Sequence, residues 1–373
     1  MATPLNRLID FGQSFWLDNI RRGFTRGGDL ARLISADGLR GETSNPTIFE
    51  KAVADSDDYD ADIRDLIAAR SSPEHIYDVL TTDDVRDACG VFASVYADTK
   101  GLDGFVSIEL PPALAKDTNG SIVEARRLWA LIGKPNLMVK VPATLEGMPV
   151  IRTLIGEGIN VNITLMFGEE YYERVIDAYL AGLEDRRRKG LPLHGVASVA
   201  SCFVSRIDTE ADKRIAAAAA GGGERSAGLE ALLGKIAIAN SKRLYALYKR
   251  SIAGERFAKL EAAGARRQRP LWASTSTKNP KYPDTYYVDA LIGPDTVDTM
   301  PPATIDAFRD HGTAAATLDR GYDEADAAIA RLESAGISLR AITDKLLADG
   351  LVAFEQSYDQ LIGVLGKKVA ALC

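Results

Sequence analysis

Cysteine and histidine, the residues that most often build metal and redox centres, are scarce in this chain, with three of each among 373 residues. Cys89, Cys202 and Cys373 are far apart and odd in number, which argues against a disulfide framework. His75, His194 and His311 have no paired spacing, and no Cys-x-x-Cys occurs. A zinc site would need scattered ligands, so metal-assisted chemistry is not expected. No uninterrupted apolar run approaches about 18 residues, so no membrane span is expected. Met1 to Asn19 lacks a long apolar core and a cleavage pattern, and a secretory signal is not expected either. Lysine and arginine number 45 against 52 acidic residues, a net charge of -7, which leaves no basic face for nucleic acid. A cytoplasmic location is the reading these absences favour.

Nucleotide motifs are missing too. Gly221-Gly222-Gly223 follows a run of alanines rather than a strand and lacks the spacing of a dinucleotide-binding turn. Gly228 to Gly234-Lys235 is one residue too long for a phosphate-binding P-loop, and Ile236 stands where a hydroxyl is needed. Both read as connections between helices, and no cofactor is implied.

What is present is alternation. Short apolar runs occur at Gln13-Trp16, Leu39-Thr43, Gly104-Leu110, Leu137-Val141, Val161-Phe167, Val196-Val204, Leu271-Ser274 and Thr296-Met300. Between them lie amphipathic stretches such as Asp60-Ala69, Ile122-Ile132, Glu169-Arg186, Glu230-Ser251 and Tyr286-Leu291. Strands alternating with helices predict βα units and a parallel sheet. Eight of them predict an α/β fold closed as a (β/α)8 TIM barrel rather than an open sheet. At 46% hydrophobic residues the chain can fill such a core as one domain. The tail from about 302 to 373 carries i, i+4 apolar spacing at Ala303-Phe308, Glu324-Ser334 and Ile337-Val369. It reads as a helical extension packed on the barrel, with its mouth as one place for it.

Lys140 is the most informative residue. It interrupts the apolar run Asn136 to Thr144, which reads as a buried strand. Buried lysine is rare without a partner. Desolvation lowers the pKa of such an amine and frees it to attack a carbonyl carbon. The competing reading is a lysine that snorkels to the strand end or sits in a core ion pair.

In a barrel, function sits at the C-terminal ends of the strands. The polar residues there are Asp18-Asn19, Thr43-Ser44-Asn45, Glu109, Lys140, Asn162 and Thr164, Ser201 and Arg206, then Ser274 to Ser276 and Lys278. A lysine amine condensing with a ketone gives an iminium, an electron sink for making or breaking the adjacent carbon–carbon bond. Glu109 could serve as its acid/base, directly or through a water held by Thr164. Asp18 is the other carboxylate, available to a substrate hydroxyl. Asn45 and Ser201 could orient hydroxyls, while Arg206 and Lys278 could hold a phosphate. Each residue also has a plainer role: Asp18 and Glu109 as strand-end caps, Asn45-Pro46 as a helix entry, Thr164 and Ser201 as satisfied core hydroxyls. Trp16, Trp129 and Trp272 read as packing residues.

These residues carry a family resemblance. Gly41-Glu42-Thr43-Ser44-Asn45-Pro46-Thr47-Ile48-Phe49 resembles the first transaldolase signature, and Val139-Lys140-Val141-Pro142-Ala143-Thr144-Leu145-Glu146-Gly147 is similar to that family's Schiff-base segment. Asn160 to Phe167, Val106 to Glu109 and Ser201 to Arg206 follow in the family's order, over about residues 12 to 300. The resemblance implies transfer of a dihydroxyacetone unit from sedoheptulose 7-phosphate to glyceraldehyde 3-phosphate, in the non-oxidative pentose phosphate pathway. It makes Lys140 the Schiff-base lysine, Glu109 the acid/base acting through water with Thr164, and Asp18 the base on the substrate hydroxyl. Asn45 and Ser201 would bind dihydroxyacetone and Arg206 the phosphate. It allows a homodimer. Release of free dihydroxyacetone by a fructose 6-phosphate aldolase, or a non-catalytic sugar-phosphate-binding barrel, are the alternatives. Two departures stand out. Ala273-Ser274-Thr275-Ser276 puts Ser276 where many transaldolases have a phosphate-binding arginine, which hands that role to Lys278. Cys202 replaces a proline and reads as a small packed residue. Pro270 to Pro302 and Ala216-Gly223 have no counterpart in the pattern and read as insertions.

Overall fold

The computed structural model describes residues 3–220 and 224–372. Eight strands are present: β1 (Gln13–Asp18), β2 (Gly41–Thr43), β3 (Phe105–Glu109), β4 (Leu137–Pro142), β5 (Val161–Met166), β6 (Ser198–Phe203), β7 (Arg269–Ala273) and β8 (Thr296–Met300). They pair in sequence order, all parallel, and β8 returns to β1 to close the barrel. Closure leaves no unpaired edge, so every strand is buried on both faces and reads as a continuous apolar run. All eight predicted runs are staves.

Closure also creates two cores. Inside the barrel, Trp16, Phe105, Met138, Val199, Leu271 and Val297 pack on one another. A much larger cluster fills the space between the staves and the helices. Trp16 and Trp272 are fully buried and Trp129 packs against the outer core, so the tryptophans do pack. Gly41 is where the inner core is tightest. A Cβ added there would lie 2.6 Å from the Trp16 indole, too close without movement. Gly41→Ala is expected to destabilise the protein by about 1–3 kcal/mol, as overpacking does. Urea unfolding checks this, and an unchanged midpoint would show that the indole can give way.

The departures from the predicted elements have local causes. The helix expected over Glu230-Ser251 starts at Ile236 and runs to Ala253, because Gly234 sits in the left-handed region at φ 72° and ends the preceding helical turn. The helix Pro73–Val91 was not apparent from periodicity, because its buried face is largely small or polar, with Thr81, Thr82, Asp84, Ala88 and Cys89. Pro270 to Pro302 is no insertion: it holds β7 and β8, with only the segment between them free to vary. Ala216 to Ala219 belongs to the helix Ser205–Ala219 that follows β6, while Gly221-Gly222-Gly223 lies outside the described residues.

After β8, the helix Pro302–His311 returns along the barrel, and Tyr322–Ser334 packs against Ile236–Ala253. The last helix, Leu339–Leu372, crosses the barrel mouth. It is held to the helix Pro46–Ala54 and the residues after it by several polar contacts. Thr47 Oγ1 donates to Ser357 Oγ at 3.0 Å, and Gln360 Nε2 donates to Glu50 Oε1 at 2.9 Å. Lys368 Nζ reaches the Val53 and Ser56 carbonyls at 3.0 and 2.6 Å and Asp60 at 2.8 Å. Gly350 lets it settle on the end of β5, where a Cβ would meet Leu165 Cδ2 at 3.0 Å. No helix among the described residues is long and apolar enough to cross a membrane.

Candidate active site

Strand register sets the floor of the site. Side chains alternate between the two faces of a strand, so partners in register share a level and a face. Glu109 on β3 is the register partner of Lys140 on β4, and Asn162 on β5 is its partner on the other side. Lys140 Nζ donates to Glu109 Oε2 at 3.3 Å and to the Ser44 carbonyl at 3.0 Å. Both side chains of the pair are only 7% exposed. The snorkelling alternative is therefore excluded, because the amine stays inside the barrel.

Asp18 ends β1 and caps no helix; its Oδ1 accepts from Thr43 Oγ1 at 2.8 Å, and Thr43 shares a second 2.8 Å bond with Thr299. Burial pushes the Asp18 carboxyl above its usual range, against the pull of Lys140, the Thr43 hydroxyl and Lys278. The Glu109 carboxyl is also raised by burial, opposed by Lys140 and reinforced by Asp18. Two carboxyls that both feel the charge of one lysine, each displaced toward neutrality, form a set that can move protons beside an amine.

Asp18 and Lys140 line a cavity of about 350 Å³ at the C-terminal ends of the strands. Asp18, Asn45, Lys140, Thr164, Ser201, Arg206, Ser276 and Lys278, all singled out in the sequence, open onto it. Glu109 does not. It faces a side niche of about 20 Å³ shared with Lys140, Pro111, Pro112, Leu351 and Phe354. That volume is enough for about one water molecule.

The hydroxyl and amide groups divide between framework and surface. Asn45 Oδ1 accepts from the Ile48 amide at 3.0 Å and caps the helix Pro46–Ala54, which fixes the amide while leaving it at the cavity wall. Ser201 Oγ donates to Asn162 Oδ1 at 2.7 Å, and Asn162 Nδ2 donates to Ser107 Oγ at 3.0 Å. This chain of hydrogen bonds links β6, β5 and β3 through Asn162, the register partner of the lysine. Thr164 Oγ1 is buried without a hydrogen-bond partner among the described residues. Cys202 is a packed core residue, 1% exposed.

The opposite wall is cationic. Arg206 stacks over the Phe203 ring at 5.2 Å and burial lowers its pKa. The Lys278 pKa is lowered by burial and by Arg206, with Asp18 opposing, and its Nζ donates to Ser276 Oγ at 2.7 Å. Two cations that disfavour each other in a half-buried pocket suit a ligand bearing more than one negative charge.

Several lining residues were missed in the sequence. Lys51 falls one turn after Thr47 on the helix Pro46–Ala54, and both line the cavity. With Pro46 marking the helix start, that i, i+4 spacing could have been read. Thr299, Phe354 and Ser357 also line the cavity, but nothing local marks them.

The fold and site agree with what the chain is similar to. Residues 15–365 match the family model for transaldolase/fructose-6-phosphate aldolase. A transaldolase of Thermobifida fusca is 46% identical over 372 residues, covering all of both chains. A transaldolase of Trichodesmium erythraeum is 46% identical over 376 residues, all of this chain and 99% of the relative. Transaldolase 2 of a Nostoc species is 45% identical over 377 residues, with 99% of each chain covered. Matched over nearly its whole length, with eight staves in order and a buried lysine at the mouth, the chain belongs to the transaldolase/fructose-6-phosphate aldolase family.

Proposed function

We propose that this chain is a transferase that moves a dihydroxyacetone unit from sedoheptulose 7-phosphate to glyceraldehyde 3-phosphate through a Schiff base on Lys140. The products are erythrose 4-phosphate and fructose 6-phosphate. The observation that carries this reading is the buried Lys140–Glu109 pair at 3.3 Å, in register at the floor of the mouth, with Asp18 close enough to act on both charges.

The Lys140 amine attacks the donor ketone carbon, and Glu109 takes the amine proton and returns it to the departing hydroxyl. Water leaves and an iminium remains. The niche beside Glu109 gives the water that relays this proton a place to sit. Asp18 accepts the proton of the C4 hydroxyl, the C3–C4 bond breaks, and its electron pair moves into the iminium to give an enamine. Erythrose 4-phosphate departs as the aldehyde. The enamine then attacks the incoming aldehyde, Asp18 returns its proton to the new alkoxide, and hydrolysis frees Lys140. Asn45 and Ser201 hold the dihydroxyacetone hydroxyls, and Thr164, whose buried hydroxyl has no partner among the described residues, helps hold the water through which Glu109 acts. Arg206, Lys278 and Ser276 bind the phosphate, and Lys51 adds a further positive charge at the rim. No metal or organic cofactor enters this scheme. Its substrates are soluble sugar phosphates, and a cytoplasmic location goes with them.

The last helix favours transfer over release. Ala353, Phe354 and Ser357 roof the cavity, and Phe354 also closes the niche at Glu109. A roofed intermediate is shielded from bulk water and waits for the acceptor. Borohydride reduction in the presence of fructose 6-phosphate, followed by peptide mass mapping, tests the covalent step. A dihydroxyacetone adduct on the Lys140 peptide is expected. Adding glyceraldehyde 3-phosphate to a sedoheptulose 7-phosphate reaction should give fructose 6-phosphate in preference to free dihydroxyacetone. A folded protein that forms no adduct would leave a sugar-phosphate-binding barrel as the better account.

A further inference from the structure

The phosphate wall is built on a turn that has no regular structure of its own. After β7 the chain passes through Ser274, a non-glycine residue at φ 57°, and then through Thr275 to Ser276 and Lys278. Left-handed backbone at serine is unfavourable and persists only where its surroundings hold it. On one side, the start of the Arg206 helix provides the hold. The Val204 and Ser205 amides donate to the Ala273 and Ser274 carbonyls at 2.9 and 3.1 Å, and the Ser205 and Ser274 hydroxyls are 3.0 Å apart.

On the other side stands a carboxyl group that the reaction scheme does not use. Asp298 lies on β8, alternating with the cavity-lining Thr299 and so facing away from the barrel interior. It is fully buried, and so is Thr275, whose Oγ1 donates to Asp298 Oδ1 at 2.8 Å. The other oxygen, Oδ2, has no hydrogen-bond partner among the described residues. A buried carboxyl without a cation is costly, and an apolar residue at that place would pack at lower cost. Burial pushes this one up to about 7. Among the described residues the bond to Thr275 is the hydrogen bond this carboxyl makes, and Thr275 is the residue between the strained Ser274 and the cavity-lining Ser276.

We propose that Asp298, acting through Thr275, is a positioning residue that sets the turn carrying Ser276 and Lys278 at the height of the substrate phosphate. The turn is then clamped from both sides, by the Arg206 helix at Ser274 and by β8 at Thr275. This inference rests on the phosphate role given above to Lys278 and Ser276.

The test compares two acceptors, glyceraldehyde 3-phosphate and unphosphorylated glyceraldehyde, with sedoheptulose 7-phosphate as donor, so that erythrose 4-phosphate is released in both reactions. In a two-step transfer, kcat/KM for the acceptor reports the second half-reaction alone. Thr275→Val keeps the shape and removes the donor. It is expected to lower kcat/KM for glyceraldehyde 3-phosphate by about five- to tenfold, the effect of one lost hydrogen bond. The value for glyceraldehyde should stay within about twofold, because that acceptor has no phosphate to misplace. Asp298→Leu should behave as Thr275→Val does, and Asp298→Asn, which keeps an oxygen for Thr275, should recover most of the loss. A folded Thr275→Val with both acceptors unchanged, or with both reduced alike, overturns the inference. So does an Asp298→Asn as impaired as Asp298→Leu. Lys278→Ala is the reference: if it too fails to distinguish the two acceptors, the phosphate reading falls first, and if it alone distinguishes them, only the role of Asp298 is refuted.

Discussion

Lys140→Arg is expected to fold and to lose at least about four orders of magnitude in kcat, the scale at which removal of a covalent nucleophile is felt. A guanidinium stays protonated at any pH a protein tolerates, so it has no free lone pair for the ketone carbon. It keeps a positive charge opposite Glu109, which spares the barrel floor an unpaired buried carboxylate. Loss of activity would then report chemistry rather than collapse. The variant should show no adduct after borohydride reduction, while circular dichroism and the unfolding midpoint stay near those of the parent. Lys140→Met carries the same loss by another route. It leaves Glu109 without its cation, and a carboxyl already displaced upward by burial would rise further. Turnover within about a hundredfold of the parent, by either variant, would remove Lys140 from the mechanism.

Asp103→Ala is expected to destabilise the protein by about 3–5 kcal/mol, the cost of breaking a buried ion pair. Asp103 precedes β3 and closes the N-terminal end of the barrel, opposite the active mouth. Arg269 Nη2, from β7, donates to its Oδ1 at 2.7 Å, and the Ser14 hydroxyl, from β1, donates to Oδ2 at 2.8 Å. The Trp16 indole N–H reaches Oδ1 at 3.4 Å. Asp103 is fully buried and the Arg269 side chain is 6% exposed. Truncation therefore removes the counter-charge of a buried guanidinium, which keeps only the Leu102 carbonyl and the Ser14 hydroxyl, and leaves the Ser14 hydroxyl and the Trp16 indole N–H without their acceptor. The double variant Asp103→Leu with Arg269→Met should recover most of the loss, since matched apolar replacement removes both desolvation costs. The folded fraction should keep its kcat and KM, because the plug and the mouth lie at opposite ends of the strands. Urea unfolding beside steady-state kinetics decides the matter. A loss below about 1 kcal/mol would show that solvent reaches the plug, and a changed kcat would tie it to the mouth.

The elements most visible in the sequence were those buried on both sides. A stave such as Val161–Met166 packs inward and outward at once, so it is apolar throughout and stands out against amphipathic neighbours. Pro73–Val91 was hidden for the opposite reason. Its buried face interleaves Ile76, Leu80 and Val85 with Thr81, Thr82 and Asp84, and the last of these is held by Arg22 and the Tyr59 hydroxyl. Polar residues buried by pairing break up the apolar stripe that periodicity registers. Within the site, the lysine, both carboxyls and the capping Asn45 could be read because strand ends and helix starts have local signatures. Phe354 and Ser357 could not, since their place depends on a helix that follows the last strand and folds back over the mouth.

The sequence by itself determined the eightfold alternation, the family and the lysine buried in the fourth strand, because these rest on hydrophobic period and on short runs of neighbouring residues. Tertiary structure alone decided which groups meet. Barrel closure brings β8 beside β1, so Thr299 reaches Thr43 across 256 residues and shares in holding Asp18. It also turned Glu109 toward a side niche shared with Lys140 and joined Asp298 to the turn that carries Ser276 and Lys278. The physical reason is that contacts between distant segments follow from register and closure, and those are properties of the whole sheet that no local stretch of sequence carries.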